Sequence, residues 1–142
     1  MNADLQKASR LLHDNEFTCV LCAGDSVYTT EERGVAPLLN WISDGTDLHG
    51  FSAADKVIGK AAALLYVLLG IRAVYAPVMS ESAIYTLARH GIQANCDVSV
   101  KVIRNRDNTG MCPMEMAVEN ISDPQEALNA IRDKRLSLRA DL

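Results

Sequence analysis

A three-layer α/β/α sandwich over a mixed sheet is the fold class this sequence predicts, and three observations predict it. Helical and extended periodicities alternate on both sides of Ile71–Val78, which puts helices on both faces of a sheet. Ala53–Leu69 is apolar nearly all round beyond Lys60, as a central helix packed on both sides must be. "FTCVLCAGDSVYTT" reads as two short strands around Ala23-Gly24-Asp25-Ser26, an antiparallel hairpin that makes the sheet mixed.

Each element has its own local reason. Leu5, Ala8, Leu11 and Leu12 form an apolar stripe that predicts a helix from Ala3 to His13, which "HDNE" ends. After the hairpin, "GVAPLLNWI" predicts a second helix with Pro37 in its first turn, and "SDGTDLHG" predicts a loop. Ser52 is placed to cap the central helix, Ala53–Leu69. A strand over Ile71–Val78 follows, then a helix from Ser80 to His90 closed by Gly91, and a strand over Cys96–Ile103. "RNRDNTGM" is a polar turn. Pro113 opens a short helix in "CPMEMAVEN", and Asp123–Leu138 makes the last, amphipathic one.

The 142 residues, 49% of them apolar, contain no repeat or long linker and predict a single domain over 1–142. A chain of that length buries roughly 70% of the surface it exposes when unfolded. A net charge of -4 supplies no broad basic field for a phosphate backbone, so nucleic acid is not an expected partner despite Arg132, Lys134, Arg135 and Arg139. The longest apolar run, "AAALLYVLLGI", is too short to span a bilayer, which argues against a membrane partner. A polar N-terminal stretch and four cysteines without secretory spacing predict a cytoplasmic protein with reduced thiols.

The hairpin-helix-strand-helix-strand order resembles the core of the cytidine deaminase-like fold. In nucleic-acid deaminases one helix starts with His-Ala-Glu and the next with Pro-Cys-x-x-Cys; the His and both Cys hold zinc and the Glu moves protons. "GFSAADKVIGKAA" is similar to the first start and "APVMSESAI" to the second. Along those motifs Ala53 takes the histidine position, Asp55 the glutamate position, and Pro77 and Ser80 the cysteine positions. No Cys or His lies between His49 and His90, so no metal ligand is expected and zinc-dependent deamination is not. The whole chain also resembles a bacterial domain-of-unknown-function family placed in this fold without its metal site, through "ADKVIGKAAALL" and "MCPMEMAV". That resemblance implies a crevice free of cofactor that takes a nucleotide or an ADP-ribose-like ligand.

The residues suggest where such a ligand would sit. Asp55, Lys56 and Lys60 fall in the opening turns of the expected central helix, whose free N–H groups favour anions. Lys56 and Lys60 share a face there and would meet a phosphate, with Asp55 as base or ribose contact and Ser52, Ser80 and Glu81 beside them. The plainer alternative is that Asp55 complements the helix dipole and the lysines reach water. Gly59 inside a helix costs about 1 kcal/mol against Ala, so a ligand or a neighbouring backbone is expected close to it.

Cys112 precedes a helix start, which favours its thiolate, and Glu115 lies in that helix's first turn. They make a second hypothesis, a metal-independent transferase or hydrolase with Cys112 as nucleophile and Asp55 or Glu115 handling protons. A third is a structural role as a homo-oligomer. Cys19 and Cys22 point to opposite faces of a strand and are expected in the core, as is Cys96. His13 is expected as a dipole partner at its helix end. The loop carrying Arg104, Arg106 and Asp107 is expected in solvent, where it could supply a clamping arginine.

Overall fold

The computed structural model describes residues 1–105 and 107–140, the side chain of Ala140 excepted; Arg106 lies outside the described residues. Six strands form one mixed sheet between helical layers. The hairpin is present as β1 (Cys19–Ala23) and β2 (Ser26–Thr30), antiparallel, with Ala23 opposite Ser26. β3 (Ser52–Asp55) pairs antiparallel with β1 and parallel with β5 (Ala73–Ser80), and β5 pairs parallel with β6 (Gln93–Val100). A two-residue strand, β4 (Val57–Ile58), continues along the same edge of β5 as β3.

The break between β3 and β4 lies opposite a proline. Asp55 and Lys56 fall opposite Ala76 and Pro77 of β5, and Pro77 has no N–H to donate to a ladder. The β5–β6 pairing omits the same position, passing from Ala76–Cys96 to Val78–Val98. Asp55 keeps its pairing with Cys19 of β1 but has no partner on β5, and the chain bends at Lys56. Pro77 does not mark a corner, as the sequence suggests; β5 runs through it to Ser80, whose hydroxyl accepts the Ala83 N–H at 3.1 Å and caps α4 (Glu81–Arg89).

α1 (Ala3–Asp14) covers one face, burying Leu5, Ala8 and Leu12 over β1, β3 and β5. Its N-cap is Asn2, whose side-chain oxygen accepts the Leu5 N–H at 2.7 Å. On the other face lies α3 (Lys60–Leu69), with α2 (Ala36–Asp44), α4, α5 (Pro113–Val118) and α6 (Pro124–Ala140) packed around it. Ala61–Tyr66 and Leu69 of α3 are all buried, as the continuous apolar run requires. Gly70 ends the helix in the left-handed region (φ 73°), and His49 fills the space beside it. Among the described residues no helix is long and apolar enough to cross a membrane.

The central helix is shorter than its apolar pattern suggests. Ser52–Asp55 is a strand: Ala53 packs into the core under α3 and Ala54 into the core under α1, the alternation a strand imposes. Ser52 caps no helix; its side chain exchanges hydrogen bonds with Asn2 at 3.1–3.2 Å. Both alanines have intrinsic helix preference, yet pairing with β1 on one side and β5 on the other overrides it. Asp55 and Lys56 consequently leave the helix, and Lys56 and Lys60 share no helical face.

Candidate functional site

Glu115 occupies the start of α3. Its two carboxylate oxygens accept the N–H groups of Lys60 at 2.7 Å and Ala61 at 2.8 Å, so donors that a helix N-terminus offers to an anion are already engaged. Gly59, the N-cap, makes this contact sterically feasible. A Cβ built on it would lie 2.3 Å from Oε1 of Glu115, so any larger residue would expel the carboxylate. The close neighbour that Gly59 signals in the sequence is thus a side chain of α5. The expectation that Lys56 and Lys60 hold an anion at this helix end is overturned: Lys60 Nζ donates instead to the Glu119 carbonyl at 3.2 Å, and Lys56 is exposed in the turn after β3.

Beside that plug, a cavity of about 470 Å³ opens where β1 begins, β3 ends and α2 and α3 start. Val35, Val57, Ala61, Ile103 and Met114 are among the apolar residues that wall it. Asp55, Lys56, Cys112 and Glu115 all line it, so the three residues named as catalytic from the sequence do converge with one of those named for binding. Four others do not line it. Ser52 is buried against Asn2, Ser80 is buried as the α4 cap, Glu81 is exposed in the first turn of α4, and Lys60 lines a smaller neighbouring cavity of about 210 Å³. Glu115 and Ile103 separate the two spaces.

Asp55 carries the cavity's main polar group. Its Oδ2 accepts the Tyr66 hydroxyl at 2.6 Å and its Oδ1 accepts the Lys56 N–H at 2.7 Å. The Tyr66 hydroxyl also lies 3.3 Å from Cys19 Sγ, so thiol, phenol and carboxyl form one chain running from the core to the cavity. Burial pushes the Asp55 carboxyl up to about 6, against the lowering effect of the hydrogen bonds it accepts from Tyr66 and the Lys56 and Val57 amides. Tyr66 and Cys19 are raised well above their ordinary values, by burial first and then by the Asp55 charge. Glu115 is raised too, by burial, opposed by the two amides it accepts and by Lys60.

Tyr66 and Arg33 are absent from the sequence-based candidates. Tyr66 had a signal: it is the one polar-tipped side chain inside "AAALLYVLL", and a buried tyrosine hydroxyl needs a partner. Arg33 had none, because only the fold brings the segment after β2 to the cavity.

With Ser52–Asp55 a strand, Ala53 starts no helix, and Pro77 and Ser80 lie within β5; the two helices that follow the hairpin, α2 and α3, begin at Val35-Ala36-Pro37 and Gly59-Lys60-Ala61, which contain neither Cys nor His. Among the described residues no group of three His, Cys, Asp or Glu side chains is placed to hold a metal ion. Cys112 is the N-cap of a six-residue helix, half-buried, its N–H donating to the Ile103 carbonyl at 2.9 Å. Cys19 and Cys22 are buried on opposite faces of β1, as alternation demands, and Cys96 is half-buried. Arg104 lies outside the cavity lining and donates to the Asn108 carbonyl at 3.3 Å.

Comparison with known proteins supplies a family and a fold. A family profile described as TM1506, a domain of unknown function (DUF1893), matches residues 7–135. A solved structure, the crystal structure of a DUF1893 family protein (TM1506) from Thermotoga maritima, superposes with a TM-score of 0.85 at 23% identity, covering 94% of this chain and 92% of that one. At that identity the likeness speaks for the fold alone. No curated protein matches the sequence.

Proposed function

Because the chain belongs to the DUF1893 family, whose description carries no activity, its chemistry has to be argued from the cavity, and we propose that the cavity beside Asp55 is a binding site for a small nucleotide-like molecule. One observation carries this reading. A space of about 470 Å³ has an apolar wall interrupted by a few convergent polar groups, Asp55, Lys56, Arg33 and Cys112. Small-molecule sites have that size, on the order of 300–1,000 Å³, and that mixture of wall and anchor. The chain order supports it as well. Hairpin, α2, β3, α3, β5 is the core order of the deaminase-like fold, and the cavity lies at the starts of α2 and α3. The site binds without zinc, since neither helix start carries a thiol or imidazole.

Thermal unfolding with millimolar nucleoside monophosphates and ADP-ribose tests the reading. A ligand at ten times its Kd stabilises by about 1.4 kcal/mol, a Tm rise of roughly 5 °C for a domain of this size. Ala62→Leu places extra volume in the cavity wall and should abolish the rise. A Tm that stays unchanged with every nucleotide, or that rises equally in Ala62→Leu, counts against it.

The second reading, Cys112 as nucleophile, is favoured by one observation: Cys112 and the Asp55 carboxyl line the same cavity. Iodoacetamide should then alkylate Cys112 of the native protein faster than half-buried Cys96, with Cys19 and Cys22 protected. Equal rates at Cys112 and Cys96 would leave Cys112 as a wall residue only.

A further inference from the structure

The charges around the cavity are sorted by depth, and this ordering orients a ligand. Among the described residues both lining cations, Arg33 and Lys56, are exposed, whereas of the three lining carboxylates only Glu32 is exposed. Glu115 is buried with its oxygens on the α3 amides, so Asp55 is the inner acceptor free to serve a guest. A carboxylate has about four acceptor positions. Tyr66 and the Lys56 and Val57 amides take three of these on Asp55, which leaves about one without a donor from the fold on a residue that lines the cavity. Donors held by the fold therefore fix the carboxyl in place, and Cys19 in turn contacts the phenol that orients it. The other titratable group on the wall is Cys112, from the segment leading into α5.

We propose that the cavity takes its ligand head first, with a planar head group bearing N–H donors or a positive charge seated on Asp55 and an anionic tail left at the mouth against Arg33 and Lys56. Tyr66 is the positioning residue of this arrangement. The proposal rests on the cavity being a ligand site and adds its selectivity: the inner end accepts cations and amidine-like or amino-heterocycle edges and rejects anions. This is the reverse of a phosphate-inward mode, for which the Lys60 and Ala61 amides are already taken by Glu115. Deep in a cavity, an anion beside Asp55 would face a like charge with little solvent screening.

Benzamidine and benzoate are matched probes of the inner end, equal in shape and opposite in charge. In two-dimensional amide NMR of the full chain, benzamidine should shift the Cys19, Asp55 and Ala62 resonances saturably, and benzoate should not. Affinity should fall about tenfold for each pH unit below about 6, as Asp55 protonates. Asp55→Asn should abolish that pH dependence. Tyr66→Phe keeps the carboxylate but removes a hydrogen bond that lowers its pKa, so the midpoint of benzamidine binding should move to higher pH. Benzoate binding as tightly as benzamidine, or benzamidine binding independent of pH between 5 and 8 in the wild-type protein, overturns the proposal while leaving the cavity a ligand site. Binding of neither probe, with nucleotides still raising Tm, also overturns the selectivity and spares the site. Failure of probes and nucleotides alike overturns both.

Discussion

Replacing Gly59 by Ala tests the contact that closes the start of α3. The added Cβ would fall 2.3 Å from Oε1 and 2.5 Å from Cδ of Glu115, so the carboxylate must leave the Lys60 and Ala61 amides. Hydrogen bonds to a charged group contribute about 1.5–3 kcal/mol each, and the Ala61 N–H is buried without another partner. Glu115→Ala alone should therefore cost about 3–4 kcal/mol, a large share of a typical stability of about 5–15 kcal/mol. Gly59→Ala should cost about 2–3 kcal/mol, the same loss offset by about 0.4–1 kcal/mol because Ala restricts the unfolded chain and tolerates the φ of -99° at this position. In the double variant the carboxylate is already gone, so the methyl meets no obstacle. Its stability should match that of Glu115→Ala or slightly exceed it. Urea unfolding followed by circular dichroism measures all four proteins, and the coupling energy should be about 2–4 kcal/mol. Additive costs, to within about 0.5 kcal/mol, would refute the claim that Gly59 exists to admit Glu115.

Asp55→Asn should change the pH dependence of stability. Burial pushes the folded carboxyl up to about 6 from an ordinary value near 3.8, so the stability tied to its neutral form is present below about 3.8 and lost as pH rises through 6. Relative to wild type, the Asn variant should gain up to about 3 kcal/mol between pH 4 and pH 7.5, since 2.2 pH units correspond to about 3 kcal/mol. An identical difference at both pH values would show that Asp55 is not desolvated in the fold. Ser80→Ala should cost about 1–2 kcal/mol in the same assay and leave Asp55-dependent ligand binding unchanged, because Ser80 caps α4 and does not line the cavity. A loss of binding with no loss of stability would return Ser80 to the site.

The hairpin, the two C-terminal helices and the central apolar helix were legible because each is a local pattern. The Ala23-Gly24-Asp25-Ser26 turn between two short extended runs marks β1 and β2, Pro113 and Pro124 stand in the first turns of α5 and α6, and α3 is apolar on nearly every face. Ser52–Asp55 was not legible as a strand. Ser-Ala-Ala-Asp is a good helix start by propensity, and only the neighbours β1 and β5, whose paired residues lie 30–36 and 21 positions away in the chain, make it extended. That error displaced Ser52 and Lys56 together.

The site divides in the same way. The residue types alone singled out Asp55, Cys112, Glu115 and Gly59, since a carboxylate, a thiol and a glycine in an apolar run each need an explanation. Which of them meet was decided by tertiary structure. Glu115 reaches α3 from 54 positions further along the chain, and Tyr66 and Cys19 reach each other across 47. The sequence by itself determined what each segment could bury and where each could start. The fold decided that an internal carboxylate, held by two amides and admitted by a missing Cβ, fills the anion position, which leaves Asp55 to face the cavity. Hydrogen bonds between distant segments leave no periodic trace in a chain, whereas apolar burial does.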